Sequence, residues 1–188
     1  MAGNQWSPAT VDFLEVMGEK KLVGMGDFVA VMGEIVKFAP GSVKRVNFFT
    51  HANGTTVGIA GRNIPGNVMF DTQVTKADLD NFATNGMSFK VGNQTFDLDD
   101  VRQRFTKDAV FVLYGCQAGL NKPLFDSLHA LLGIKVIGFK KKIAFCPNPP
   151  QNGQFVRTGM LSGIGNCSSK TADWRSLAND PAETIVVP

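Results

Sequence analysis

Short apolar runs, each closed by a break rich in small residues, set the rhythm of this chain. Val46-Asn47-Phe48-Phe49-Thr50 stops at His51-Ala52-Asn53-Gly54, and Ala109-Val110-Phe111-Val112-Leu113-Tyr114 stops at Gly115-Cys116-Gln117-Ala118-Gly119. The second run is apolar on both faces, the pattern of a strand buried between helix layers. Behind it the period changes. Asn121 stands as a cap with Pro123 in the first turn, Leu124, Leu128, Leu131 and Leu132 recur at helical spacing, and Gly133 supplies a stop. Ile134 to Phe139 is β-prone again. A strand, a helix and a strand in that order predict a right-handed parallel crossover.

The same reading extends along the chain. Ser7-Pro8 opens a helix with Val11, Leu14 and Met17 on its apolar side, and a second helix covers Phe28 to Phe38 until Pro40-Gly41 ends it. Val43 to Thr50 is the first strand, and Thr55 to Ala60 is a second, paired to it through Asn53-Gly54. Val68 to Phe70 adds a short strand. Thr75-x-x-Asp78 resembles a capping box and starts a helix that Asn85-Gly86 stops. Met87 to Val91 and Gln94 to Phe96 flank Gly92-Asn93 as a small hairpin. Asp97, Asp99 and Asp100 then favour the start of a helix that runs to about Phe105. After a strand at Ile143 to Phe145, a loop starts at Cys146. These elements predict an α/β fold: a mostly parallel central sheet flanked by helices, with small β-hairpins. One domain is expected over 1–188, with N-terminal helices in 7–40, a core over 43–146 and an irregular C-terminal extension over 147–188.

Composition narrows the function classes. The 188 residues are 44% hydrophobic and 19% charged, ordinary values for a soluble globular chain large enough to bury a core. A net charge of +3 is too small and too dispersed to argue for nucleic acid. No stretch reaches the roughly 18 apolar residues of a membrane span. The first residues show no basic region leading into an apolar one, so a native start at Met1 implies a cytoplasmic protein. Cys116, Cys146 and Cys167 are three and widely spaced, which argues against a disulfide framework, and no zinc-ligand spacing is present. Cys146 and Cys167 read as structural thiols. Gly-Met-Leu-Ser-Gly-Ile-Gly-Asn, from Gly159, lacks the Lys-Ser/Thr of a phosphate loop. The phenylalanines at 48, 49, 70, 82, 89 and 96 read as core.

The chemistry gathers at the two strand ends. Open α/β sheets bind ligands at the carboxyl ends of their strands. Neighbouring parallel strands ending at His51 and Cys116 would deliver an imidazole and a thiol to one sheet edge, the arrangement of a Cys-His nucleophilic site. His51 would take the thiol proton and later protonate the leaving amine. Around Cys116, Gly115 and Gln117 offer backbone close to a substrate, and Asn53 and Gly54 are candidate N–H donors to an oxyanion. The plainer alternative makes Cys116 a small buried hydrophobe and His51 a turn residue bonded to a carbonyl. His129 reads as a packed or surface histidine. Asp71 and Asp126 could orient an imidazole, but their spacing selects neither.

The stretch VNFFTHANG, followed later by AVFVLYGCQAG, resembles the clan CD (caspase-like) cysteine peptidases, which include caspases, gingipains, clostripain, separase, bacterial CHAT proteins and self-cleaving toxin domains. In that clan one apolar strand ends in His-Gly and a later parallel strand ends in the catalytic Cys. The likeness covers about residues 43–146. It implies a caspase-like three-layer sandwich, His51 as general base, Cys116 as nucleophile, and an oxyanion hole from the amide of Cys116 and one just past the His turn. It implies a protein or peptide substrate, the chain itself or one partner protein, with no metal and no cofactor. It also suggests a polyanion activator site at Lys140, Lys141 and Lys142, because some toxin members respond to inositol hexakisphosphate; a solvated strand end is the simpler reading of that run. As a delivered effector or toxin fragment, the chain would act away from where it is made. Two departures stand out. Ala52 occupies the position after the His where the clan has Gly, and the order Gly115-Cys116-Gln117-Ala118-Gly119 differs from the caspase signature, so no aspartate preference is assigned. Ala52 motivates a second function class, a catalytically silent caspase-like module that binds a partner. A flavodoxin-like nucleotide binder would need a phosphate loop at a strand end, and none stands out.

Overall fold

The computed structural model describes residues 28–49, 52, 57–58, 73–74, 76–146, 159–162 and 174–188. The chain is α/β. Its main sheet is built around β6 (Phe105–Tyr114), with β1 (Val43–Phe49) and β7 (Lys135–Phe139) parallel on either side. A fourth strand, β10 (Thr184–Val187), adds antiparallel to β7, giving the order β1-β6-β7-β10.

Alternation along β6 explains its central place. Phe111 and Leu113 face one buried cluster, and Val112 and Tyr114 face another. A strand buried on both faces needs this continuous apolar run. The first face is covered by α1 (Phe28–Ile35), α2 (Lys76–Asn85), α3 (Leu98–Arg102) and α4 (Lys122–Leu132), whose buried residues join Phe111 and Val136 in one cluster. The second face packs Val112, Tyr114, Ile137 and Phe139 against Ala178 of α5 (Trp174–Ala178).

α4 follows from its sequence. Asn121 Oδ1 accepts the Leu124 N–H at 3.3 Å, Pro123 occupies the first turn, and Gly133 closes the helix at φ +70°. Leu124, Phe125, Leu128, Leu131 and Leu132 are buried, each leucine contributing about 1.5–3 kcal/mol relative to an exposed state. Arg102 of α3 donates to the carbonyls of Leu131 (2.9 Å) and Ala130 (3.1 Å), which the end of α4 leaves without intrahelical partners.

The hairpin of β4 (Ser88–Val91) and β5 (Gln94–Asp97) turns through Gly92-Asn93, with Gly92 at φ +62°. Asp97 and Asp100 exchange side-chain and backbone bonds as a capping box for α3. The expected helix to Phe105 stops at Arg102, because Phe105 is buried as the first residue of β6. The early part of β6 carries an irregularity: Val43 pairs with Phe105 but Arg45 pairs with Val110. That extra length hid the strand's true start.

Two expectations are corrected. The described part of the strand expected at Thr55 to Ala60, β2 (Val57–Gly58), pairs antiparallel with β3 (Gln73–Val74) and not with β1. Asn-Gly between two β-prone runs is a local signal, and strand partnership is decided by packing. Nor do the described residues beyond Cys146 form an irregular extension outside the core. β8 (Ile143–Cys146), which includes Cys146, pairs with β9 (Gly159–Ser162), and β10 is a strand of the main sheet. The expected helix at Ser7 and strand at Val68 to Phe70 lie outside the described residues.

Candidate functional site at the ends of β1 and β6

β1 and β6 are parallel neighbours, and their last residues, Phe49 and Tyr114, are register partners. The two strands therefore end level. His51 and Cys116 each stand two positions beyond that pair. His51, Asn53 and Gly54 lie outside the described residues, as do Asp71 and Cys167. Ala52, directly after His51, is described and is buried in the cluster that holds Phe111 and Leu113. The chain just past the imidazole position is thus anchored in the main core.

The Cys116 turn is fixed by its backbone. Ala118 N–H donates to Gly115 O at 3.2 Å, Leu120 N–H to Gln117 O at 3.0 Å, and Asn121 N–H to Ala118 O at 3.2 Å. This short 3-10 turn, Ala118–Leu120, leads into the cap of α4. Gln117 takes the left-handed conformation at φ +57°, uncommon for a residue with a side chain. Its N–H donates to Lys141 O at 2.9 Å. The Gln117 amide is therefore bonded within the protein. Cys116 is half-buried, and its Sγ donates to Ile143 O at 3.5 Å.

Glycine lets the turn lie directly on the sheet. A Cβ on Gly119 would stand 2.5 Å from Gly138 O, and one on Gly138 would overlap the Phe125 ring. Gly115 is buried as well. Gly138 escaped the sequence reading, although an isolated glycine inside a strand signals close backbone approach.

Beneath the strand ends, Arg45 Nη2 donates to the hydroxyl of the buried Tyr114 at 3.2 Å, and Arg45 Nε to Asn47 Oδ1 at 2.8 Å. A buried phenol is seldom left without such a partner.

The remaining candidates sit elsewhere. His129 is in the last turn of α4, at the end remote from Cys116, with Nδ1 2.9 Å from Ile134 O. Asp126 pairs with Lys122 on the same helix at 2.6 Å. Lys140 Nζ donates to Pro181 O at 2.6 Å and Lys141 Nζ to Glu183 Oε1 at 2.7 Å, so two of the three lysine heads are turned onto the protein's own C-terminal turn. Lys142 is exposed. Among the described residues no group of three His, Cys, Asp or Glu side chains could hold a metal ion, and no helix is long and apolar enough to cross a membrane.

Comparison with known proteins matches no family model, no curated protein and no solved structure.

Proposed function

We propose that this chain is a caspase-like cysteine endopeptidase domain, a three-layer sandwich cleaving a polypeptide that is either the chain itself or one partner protein. The observation that carries the reading is the level, parallel ending of β1 and β6, two residues short of His51 and Cys116. A main sheet covered on both faces supports the layered architecture. In this mechanism Cys116 Sγ bonds to the scissile carbonyl carbon while His51 takes the thiol proton. The carbonyl oxygen becomes an oxyanion, received by the Cys116 N–H and by an amide in the Asn53-Gly54 stretch. The intermediate collapses, the C–N bond breaks, and His51 returns the proton to the leaving amine. Water then hydrolyses the thioester, again with His51 as base, and frees Cys116.

The test is labelling by a thiol-directed peptide electrophile. Cys116 is expected to react faster than Cys146 and Cys167, with the excess lost in His51→Ala. Equal labelling of all three thiols, together with unchanged cleavage of every tested polypeptide in Cys116→Ala, overturns the reading. One observation favours a second reading, a catalytically silent binding module of the same architecture: Ala52 stands where the clan it resembles has Gly, and its side chain is buried in the core. For that module, a partner retained by Cys116→Ala with no cleavage by the wild-type chain is the expected result.

A further inference from the structure

The Cys116 turn and the C-terminal turn grip one short connector, residues 140–143, from opposite sides. From the first side, the Gln117 N–H donates to Lys141 O at 2.9 Å and Cys116 Sγ to Ile143 O at 3.5 Å. From the other, the Lys140 N–H donates to Glu183 O at 2.9 Å, Lys140 Nζ to Pro181 O at 2.6 Å, and Lys141 Nζ to Glu183 Oε1 at 2.7 Å. Lys141 bonds in both directions. Its carbonyl holds the strained residue that follows Cys116, and its ammonium is held by a carboxylate only 15% exposed. Glu183 is itself fixed, because its N–H donates to Asp180 O at 3.0 Å and it leads directly into β10. A fully solvated ion pair carries little weight, but this one closes a chain of bonds between a sheet strand and a reactive turn.

We propose that Glu183 is a positioning residue for Cys116, acting through Lys141 to hold the connector that sets the Gln117 conformation and the direction of the thiol. This rests on the reading of Cys116 as the nucleophile. The loop after β7 and the turn before β10 then form a strap, and Lys140 and Lys141 serve it.

The test uses the full chain carrying Cys146→Ser and Cys167→Ser, which leaves Cys116 as its only thiol. The rate of alkylation by the thiol-directed peptide electrophile, whose bound pose senses the direction of the thiol, is measured beside the urea unfolding midpoint. Because small misplacements of a reacting group cost large rate factors, Glu183→Gln is expected to slow alkylation about tenfold. The charge exchange Lys141→Glu with Glu183→Lys is expected to restore the rate to within about threefold, as coupling within one pair requires. An unchanged rate in Glu183→Gln overturns the strap. So does an exchange variant that regains the unfolding midpoint but stays slow. His51→Ala separates this result from the peptidase reading. Slowing by Glu183→Gln alone keeps the strap and sinks the dyad, and slowing by His51→Ala alone does the reverse.

Discussion

Gln117 is the only non-glycine residue with positive φ among the described residues, and it directly follows Cys116. A left-handed conformation costs an L-residue about 1–2 kcal/mol, partly offset by the greater unfolded-state entropy that glycine would bring. Gln117→Gly is therefore expected to stabilise the fold by up to about 1 kcal/mol, read from the urea midpoint. A loss of stability would show that the turn is unstrained or that the Gln117 side chain contributes to the fold. At Gly138 the sign is opposite. A methyl there meets the Phe125 ring and the Gly119 backbone, both on packed elements, so Gly138→Ala is expected to cost about 1–3 kcal/mol. A midpoint unchanged from wild type would show that the Ala118–Leu120 turn and β7 can separate without penalty. Cys116 stood out in the sequence because a reactive side chain closes an apolar run. Gly138 did not, and Lys141 stood out only as part of a lysine run, because their contacts are with residues distant in sequence, which local pattern does not encode.

At the scale of elements, α4 was legible almost residue by residue. Its cap, proline, leucine spacing and terminal glycine are all local features, and they agree with one another. Asn121→Ala is expected to cost about 1 kcal/mol, since the Leu124 N–H loses its acceptor. The contact between α2 and α4 carries a pH signature. Asp80 bonds to Lys76 on its own helix and accepts from Ser127 Oγ of α4 at 2.7 Å. These partners, Lys76 first and Ser127 second, lower its carboxyl below the ordinary value. A carboxyl depressed in the folded state contributes stability above its unfolded pKa and loses it as pH falls through the folded one. Asp80→Asn is therefore expected to flatten the acid limb of the stability curve below about pH 4 and to leave its neutral side sloping as before. An acid limb identical to wild type would show that the α2–α4 contact does not depend on this charge. The end of α3 and the start of β6 were misjudged for a related reason. The residues around Arg104 are plausible in a helix, and only the pairing of Phe105 with the distant Val43 makes them extended.

On the β7 side the main sheet is completed by Thr184–Val187. β10 completes the sheet beside β7, Val187 joins the same buried cluster as α4, and Thr184 is buried with its hydroxyl donating to Asp180 O at 2.9 Å. The run Thr184-Ile185-Val186-Val187 is β-branched throughout, which is a strand signal, but four residues at the end of a chain give no indication of which sheet they join. That is why the fold looked complete at Cys146. The consequence is testable on the molecule as a unit. Removing residues 184–188 leaves the β7 edge without its ladder partner and opens the core at Val187. An exposed edge is a template for pairing with other chains, so the truncated chain is expected to lose cooperative unfolding and to associate at concentrations where the intact chain does not. Amide exchange in β7 should accelerate most, and β4–β5, which form a sheet of their own, least. If Val136 to Phe139 keep their protection after truncation, β10 is an appendage and the sheet ends at β7. If they lose it, the segment that holds Glu183 is part of the core, and the strap between the C-terminal turn and Cys116 is anchored at both ends in the main sheet.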